Sequence, residues 1–196
     1  LSSSESYSNN PAECLLDSLT NTSYGAGNIV TDSSINLNTF YSHKQFCNET
    51  VSYTDEDGNN GTDSELLKRY TTNGVVNTHD TRDIIISDLA TNSSGIVSYQ
   101  LGKFQLNTDK ASTSQKTFSA DNMFGDITIV NDGFNSQLNK FIGSFISKKN
   151  EFQDDQIYVE IPSNLKNPNE PEFTQETRFK FINNNIQAER VSNIIL

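Results

Sequence analysis

The chain has no tryptophan, one methionine, two histidines and two cysteines, and each scarcity closes off some chemistry. His43 and His79 with two cysteines make no zinc pattern, and H-E-x-x-H is absent. No G-x-S-x-G elbow, P-loop or G-x-G-x-x-G occurs, which argues against a hydrolase elbow and against nucleotide cofactors. Without tryptophan the usual platform for a sugar ring is missing, which weakens glycosidase and lectin readings although seven tyrosines remain. No apolar run approaches ~20 residues, so no membrane-spanning helix is predicted.

Cations are also scarce. Fourteen Lys and Arg face twenty-five Asp and Glu, a formal net charge of −11. Such a chain repels phosphate backbones and anionic membranes, and no basic patch interleaved with aromatics offsets this. Hydrophobic residues make up only 33% of the chain, while 25 Asn, 24 Ser and 18 Thr fill about a third of it. That balance suits short elements with long solvated loops. It is not a signature of disorder, because apolar residues recur in periodic clusters to the end.

In an oxidising compartment Cys14 and Cys47 would pair, closing a loop worth on the order of 3 kcal/mol. We expect that disulfide, since polar, loop-rich chains are typically secreted. N-glycosylation sequons stand at Asn21, Asn48, Asn60 and Asn92. A chain so rich in Asn, Ser and Thr produces about that many by chance, so they do not establish a glycoprotein. The chain starts at Leu1 without an initiator Met and stops on Ile194-Ile195-Leu196, so both ends read as cut from something longer.

Residues 1–10 read as a flexible Ser/Asn-rich segment, followed by one β-rich domain over 11–196. Asn10-Pro11-Ala12-Glu13 predicts a capped helix from Pro11 to about Leu19. Strand-like segments follow at Asn28–Thr31, Ile35–Tyr41 and Glu49–Thr54. Thr62-Asp63-Ser64-Glu65 is a capping box predicting a short helix through Tyr70, and Asn73-Gly74 is a hairpin signal. Asp83–Leu89 carries a buried-looking Ile84-Ile85-Ile86 run. Ile96–Leu106 alternates and then shifts phase at Gly102-Lys103, as at a β-bulge. Further strands are expected at Thr117–Ser119, Asp126–Val130, Gln156–Ile161 and Phe173–Ile182. Ile186–Leu196 leans to strand. Leu138, Phe141, Ile142, Phe145 and Ile146 fall at helical spacing and predict one packed helix at about 135–148, in spite of Gly143. The fold class expected is α+β with predominantly antiparallel sheet, sandwich-like or a sheet with that helix packed on it.

The most informative stretch is Asp55 to Glu65, D-E-D-G-N-N-G-T-D-S-E, with five carboxylates and two Asn amides interleaved with Gly58 and Gly61. Hard oxygen ligands on a tightly turning backbone suit calcium. Against the EF-hand pattern, positions 1, 3, 5 and 9 fall on Asp55, Asp57, Asn59 and Asp63. Asn60 stands where glycine is required, however, and Leu66 where glutamate is, with Glu65 one residue short. The expectation is a looser calcium loop using Asp55, Asp57, Asn59, Asp63 and Glu65, with no other cofactor.

The leading functional expectation is a non-catalytic extracellular or cell-surface module, a structural or adhesive domain of a longer protein with a protein or glycan partner. The segment Val51-Ser52-Tyr53, the acidic loop and Leu66-Leu67-Lys68-Arg69 resembles the β-region of minor pilin and pseudopilin headgroups over roughly twenty residues. That resemblance implies an assembly subunit as the alternative. A secreted hydrolase using a carboxylate pair is the third class. A His79-Asp80-Asp83 triad is set aside, because a lone histidine in a turn is usually solvated.

Overall fold

Asn10 opens the first helix as predicted. Its side chain accepts the Ala12 N–H at 3.0 Å, and α1 runs Pro11–Thr20 with Ala12, Leu15 and Leu19 buried. The structure, a computed structural model, describes residues 7–54, 58–77, 79–114, 116–119, 122, 123, 128, 138–166 and 171–196. Asp126–Val130 lies almost wholly outside these residues, and Thr117–Ser119 is in neither helix nor strand.

The remaining elements are α2 (Leu37–Cys47), α3 (Arg82–Thr91), β1 (Gly95–Gln100), β2 (Lys103–Thr108), β3 (Lys140–Ser147), β4 (Gln153–Glu160), β5 (Thr174–Arg178) and α4 (Asn185–Ile195). Strands β1 and β2 form an antiparallel hairpin. In the second sheet β3 is central, antiparallel to β4 and parallel to β5. Among the described residues, four α-helices with two small sheets make an α+β fold.

Two hydrophobic clusters hold these elements. Leu15, Leu19, Ile35, Phe40, Leu89 and Leu106 join α1, α2, α3 and the hairpin. Phe46, Tyr70, Phe141, Phe145, Ala188 and Val191 join the end of α2, the second sheet and α4. The segment after β5 enters both, since Phe181 packs in the first cluster and Phe179 and Ile182 in the second.

Several expectations are corrected. Residues 140–147 are strand β3 rather than a helix at 135–148; residues 135–137 lie outside the described set. The same residues also carry a period of two, with Phe141, Gly143, Phe145 and Ser147 facing inward. Gly143 decides between the two periods. A Cβ there would meet the Phe179 ring at 2.5 Å and Ile157 and Ser192 at 3.0 Å, so the bare backbone gives room to the sheet–helix contact.

Ile35–Tyr41 is not a strand. Beyond Ile35 the chain enters α2, which buries Phe40, His43, Phe46 and Cys47 at three- and four-residue spacing and leaves the alternating Leu37 and Tyr41 in solvent. The isoleucine run lies in α3, which buries Leu89 and Ala90 and leaves Ile84 exposed. Ile186–Leu196 belongs to a helix, α4, capped by the Asn184 side chain accepting the Gln187 N–H at 2.8 Å. Gly102 marks no bulge: Leu101 and Gly102, at φ 52° and 76°, form the two-residue turn closing the hairpin. Thr62–Glu65 starts one turn, closed by Leu67 N–H to Asp63 O, before Lys68 bridges to Thr50. Asn73-Gly74 forms no hairpin, because the Asn73 N–H goes instead to Phe181 O.

The segment from Val51 to Arg69 is clasped by Arg190 of α4. Its guanidinium donates to the carbonyls of Lys68 at 3.0 Å, Arg69 at 3.2 Å and Val51 at 3.3 Å, with longer contacts to Leu66. Those carbonyls have no helix or sheet of their own to satisfy them, so the fork supplies the donors.

Candidate functional site

A cleft of about 1140 Å³ opens where the second sheet meets the segment 72–77. One wall comes from the end of β3 and the turn after it, with Ile146, Lys148 and Phe152. A second is the run Arg178 to Asn183 that continues β5, and the third is Thr72 to Asn77. Gly74 allows the second and third walls to touch: a Cβ there would lie 2.8 Å from Lys180 O and 2.7 Å from the Phe181 ring.

Beyond Gly74 the chain presents apolar side chains to water. Val75 is 83% exposed and Val76 51%. Phe152 is 65% exposed on the facing side. Gly74, Val75 and Val76 make no hydrogen bonds to other described residues.

Phe152 is also held in an unfavourable backbone. Glu151 and Phe152 have φ of 51° and 60°, the left-handed region that a bulky residue adopts at a cost of about 1–3 kcal/mol. The turn is tied by Phe152 N–H to Ser147 O at 2.8 Å and Gln153 N–H to Asn150 O at 2.9 Å. The Phe152 ring is thus presented largely to solvent from a left-handed turn.

The charges around the cleft are paired. Lys148 meets Glu65 at 3.0 Å, Arg178 meets Asp154 at 2.7 Å, and Lys180 meets Asp80. The hydrogen bond from Lys180 holds the Asp80 carboxyl below its ordinary pKa, and the one to Glu65 raises Lys148. Cys14 and Thr72 also line the cleft, and the Thr72 hydroxyl is buried without a partner among the described residues.

A second polar group is buried between the clusters. His43 is fully buried, its Nδ1 2.8 Å from Thr108 Oγ1 and its Nε2 2.9 Å from Ser93 Oγ. The Ser93 hydroxyl donates to Ala90 O at 3.1 Å, so it accepts from His43 Nε2–H, and Nδ1 accepts from Thr108. Burial lowers the imidazole pKa to about 4 and keeps it neutral. The pair has the spacing of a nucleophile and its base, but both residues are sealed from solvent and no carboxylate orients the ring. Its effect is to tie α2 to the end of α3 and to β2. Sequence reasoning passed over His43 as a structural residue; the helical spacing Phe40, His43, Phe46 was the available signal.

The sequence-derived site residues fall as follows. Asp55 and Asp57 lie outside the described residues. Asn59 is in the loop closed by the Thr54–Asn60 bridge. Asp63 Oδ1 accepts the Glu65 N–H, and the Glu65 carboxylate takes Lys148 and Asn73. Among the described residues no three His, Cys, Asp or Glu side chains gather as metal ligands. His79 Nδ1 is 3.0 Å from Asn77 Oδ1, while the neighbouring Asp80 carboxylate pairs with Lys180.

Cys14 and Cys47 are unbridged in this structure. They pack into different clusters, Cys14 against the first and Cys47 inside the second. Burial pushes the Cys47 thiol up to about 12 and raises Cys14. Of the four sequons, Asn48 and Asn60 are exposed, Asn21 is partly so, and Asn92 is buried.

No described helix is long and apolar enough to cross a membrane. No protein-family model matches the chain, and no curated protein matches it with significance.

Proposed function

We propose that this chain is a non-catalytic binding module whose cleft receives a segment of a partner protein. The observation that carries the reading is Phe152, strained at φ 60° and exposed, facing the bare valines 75 and 76 across one recess. Strain and exposed apolar surface both cost stability, and a bound segment would offset the second by covering it. The exposed aliphatic side chains of Val75 and Val76 suit the apolar side chains of a peptide. The extracellular or cell-surface setting belongs to the same reading and rests on the acidic, Ser/Thr/Asn-rich composition.

The test is selection of a random peptide library on the immobilised protein. Enriched peptides should bind the wild type and lose binding to Val75→Asp and to Phe152→Ser. No enrichment, or enriched peptides that bind both variants as well as the wild type, would overturn the assignment.

A further inference from the structure

We propose that the Lys110–Ala111 bond is a site of limited proteolysis for a protease specific for basic residues, and that the cut protein remains one folded body made of two chains. This goes beyond the binding reading and does not depend on it. The site lies just past β2. Residues 109–114 form neither helix nor strand, and every one of them is exposed. The run after Lys110 is Ala-Ser-Thr-Ser, small and polar side chains of the kind at which folded proteins are nicked. Its start is anchored, since the Asp109 N–H donates to Ser94 O at 2.7 Å. The Lys110 side chain lies across the Phe46 ring, with Nζ 5.6 Å from the centroid, and a protease must lift it away. A contact of that kind at an exposed side chain is weak, and Arg69 stays over the same ring at 4.6 Å.

Local structure removes the competing cations. The dibasic pair Lys68-Arg69 reads as a processing signal, yet both of its carbonyls accept from Arg190, and the Arg69 N–H donates to Glu49 O at 2.9 Å. A backbone engaged on both sides is not open to a protease groove. Lys116 is followed by a turn in which Asn122 Nδ2 donates to Thr117 O at 2.8 Å. The remaining cations stand in helices, strands or turns, or between buried neighbours, as Lys180 does between Phe179 and Phe181.

The two parts hold each other at many points. Residues 1–110 carry α1 to α3 and the hairpin, and residues 111–196 carry the second sheet and α4. The second hydrophobic cluster is shared, with Phe46, Cys47 and Tyr70 from the first part and Phe141, Phe145 and Val191 from the second. Phe181 crosses the other way into the first cluster. Arg190 and Gln187 of α4 bond the backbone at Lys68, Arg69 and Thr71 across the same boundary.

None of these contacts includes the cut bond, so hydrolysis leaves them in place. Water adds across the amide, giving a carboxylate on Lys110 and an amine on Ala111, and no other reactant is needed. What changes is the unfolded state, which becomes two chains, so that the assembled form depends on concentration. The cleft then depends on assembly too, since Thr72 to Asn77 belong to one part and Arg178 to Asn183 to the other.

Limited digestion of the native full chain with trypsin tests both halves of the proposal. Mass measurement should place the first cut after Lys110. Gel filtration in native buffer should carry both fragments in one peak at the elution volume of the uncut protein, and concentrated guanidinium should separate them. The variant Lys110→Gln should lose this cut while keeping the wild-type circular dichroism spectrum. A first cut at any other bond, or an unchanged rate of first cutting in Lys110→Gln, would overturn the site. Fragments that elute apart in native buffer would overturn the two-chain body. Native protein left whole by an amount of trypsin that digests casein would overturn both.

Discussion

The side-chain amide of Gln187 pairs with the backbone of Thr71 as a neighbouring strand would. Its Oε1 accepts the Thr71 N–H at 3.0 Å, and its Nε2 donates to Thr71 O at 2.8 Å. The same Nε2 reaches Asn92 O at 3.2 Å. One buried residue of α4 thus satisfies two chain segments that meet far from each other in sequence. Replacing Gln187 with Leu should cost about 2–5 kcal/mol, because a buried N–H and two carbonyls lose their partner. Urea unfolding measures this, and a loss below about 1 kcal/mol would mean that water substitutes for the amide.

Gly143→Ala has opposite signs in the two readings of residues 140–147. In an exposed helix the change would stabilise by about 1 kcal/mol. In β3 the new methyl group meets the Phe179 ring at 2.5 Å, and overpacking of that kind should cost about 1–3 kcal/mol. A lower thermal midpoint is expected.

Left-handed turns offer a converse test. Leu101 is fully exposed at φ 52° in the hairpin turn. Leu101→Asn should stabilise the fold by up to about 1 kcal/mol, since Asn tolerates that conformation, and should raise Tm by about 2–4 °C. Phe152→Gly should likewise keep or raise stability, while removing the ring from the cleft and with it peptide binding. Loss of stability in Phe152→Gly would show that the ring packs within its own fold.

His43 makes stability depend on pH. Its folded pKa is lowered to about 4 by burial, from 6.5. Between those values the unfolded chain binds the proton and the folded chain does not, so stability falls as pH drops from about 6.5 to about 4. The contribution lost is on the order of 3 kcal/mol. Urea midpoints at pH 7, 5.5 and 4.5 should decline in the wild type and decline less in His43→Gln. Parallel slopes in the two proteins would sink the assignment.

The thiols can be counted by mass after alkylation. Unfolded, non-reduced protein should take two adducts, because both cysteines are free. In the native protein Cys14 should react slowly and Cys47, fully buried, should not react. Unfolded protein that takes no adduct would show a bridge.

Where one local signal stood alone, it was legible. Asn10, Pro11 and Glu13 start α1 because the cap satisfies its own backbone donors, whatever packs outside. The alternation around Ile157 and Val159 corresponds to β4 for the same reason. The cleft was not legible, since its lining comes from residues as far apart in the chain as Cys14 and Asn183, and nothing local announces that Gly74 will lie against Lys180.

By itself, then, the sequence determined the charge, the scarcity of catalytic side chains, the first cap and the clean alternations, which depend on chain chemistry within a few residues. The tertiary structure decided the segments that carry two periods at once. In 140–147 the helical and alternating patterns bury nearly the same aromatic residues, and only Phe179 and Ser192, brought in from far along the chain, make Gly143 necessary and the strand the better packed choice.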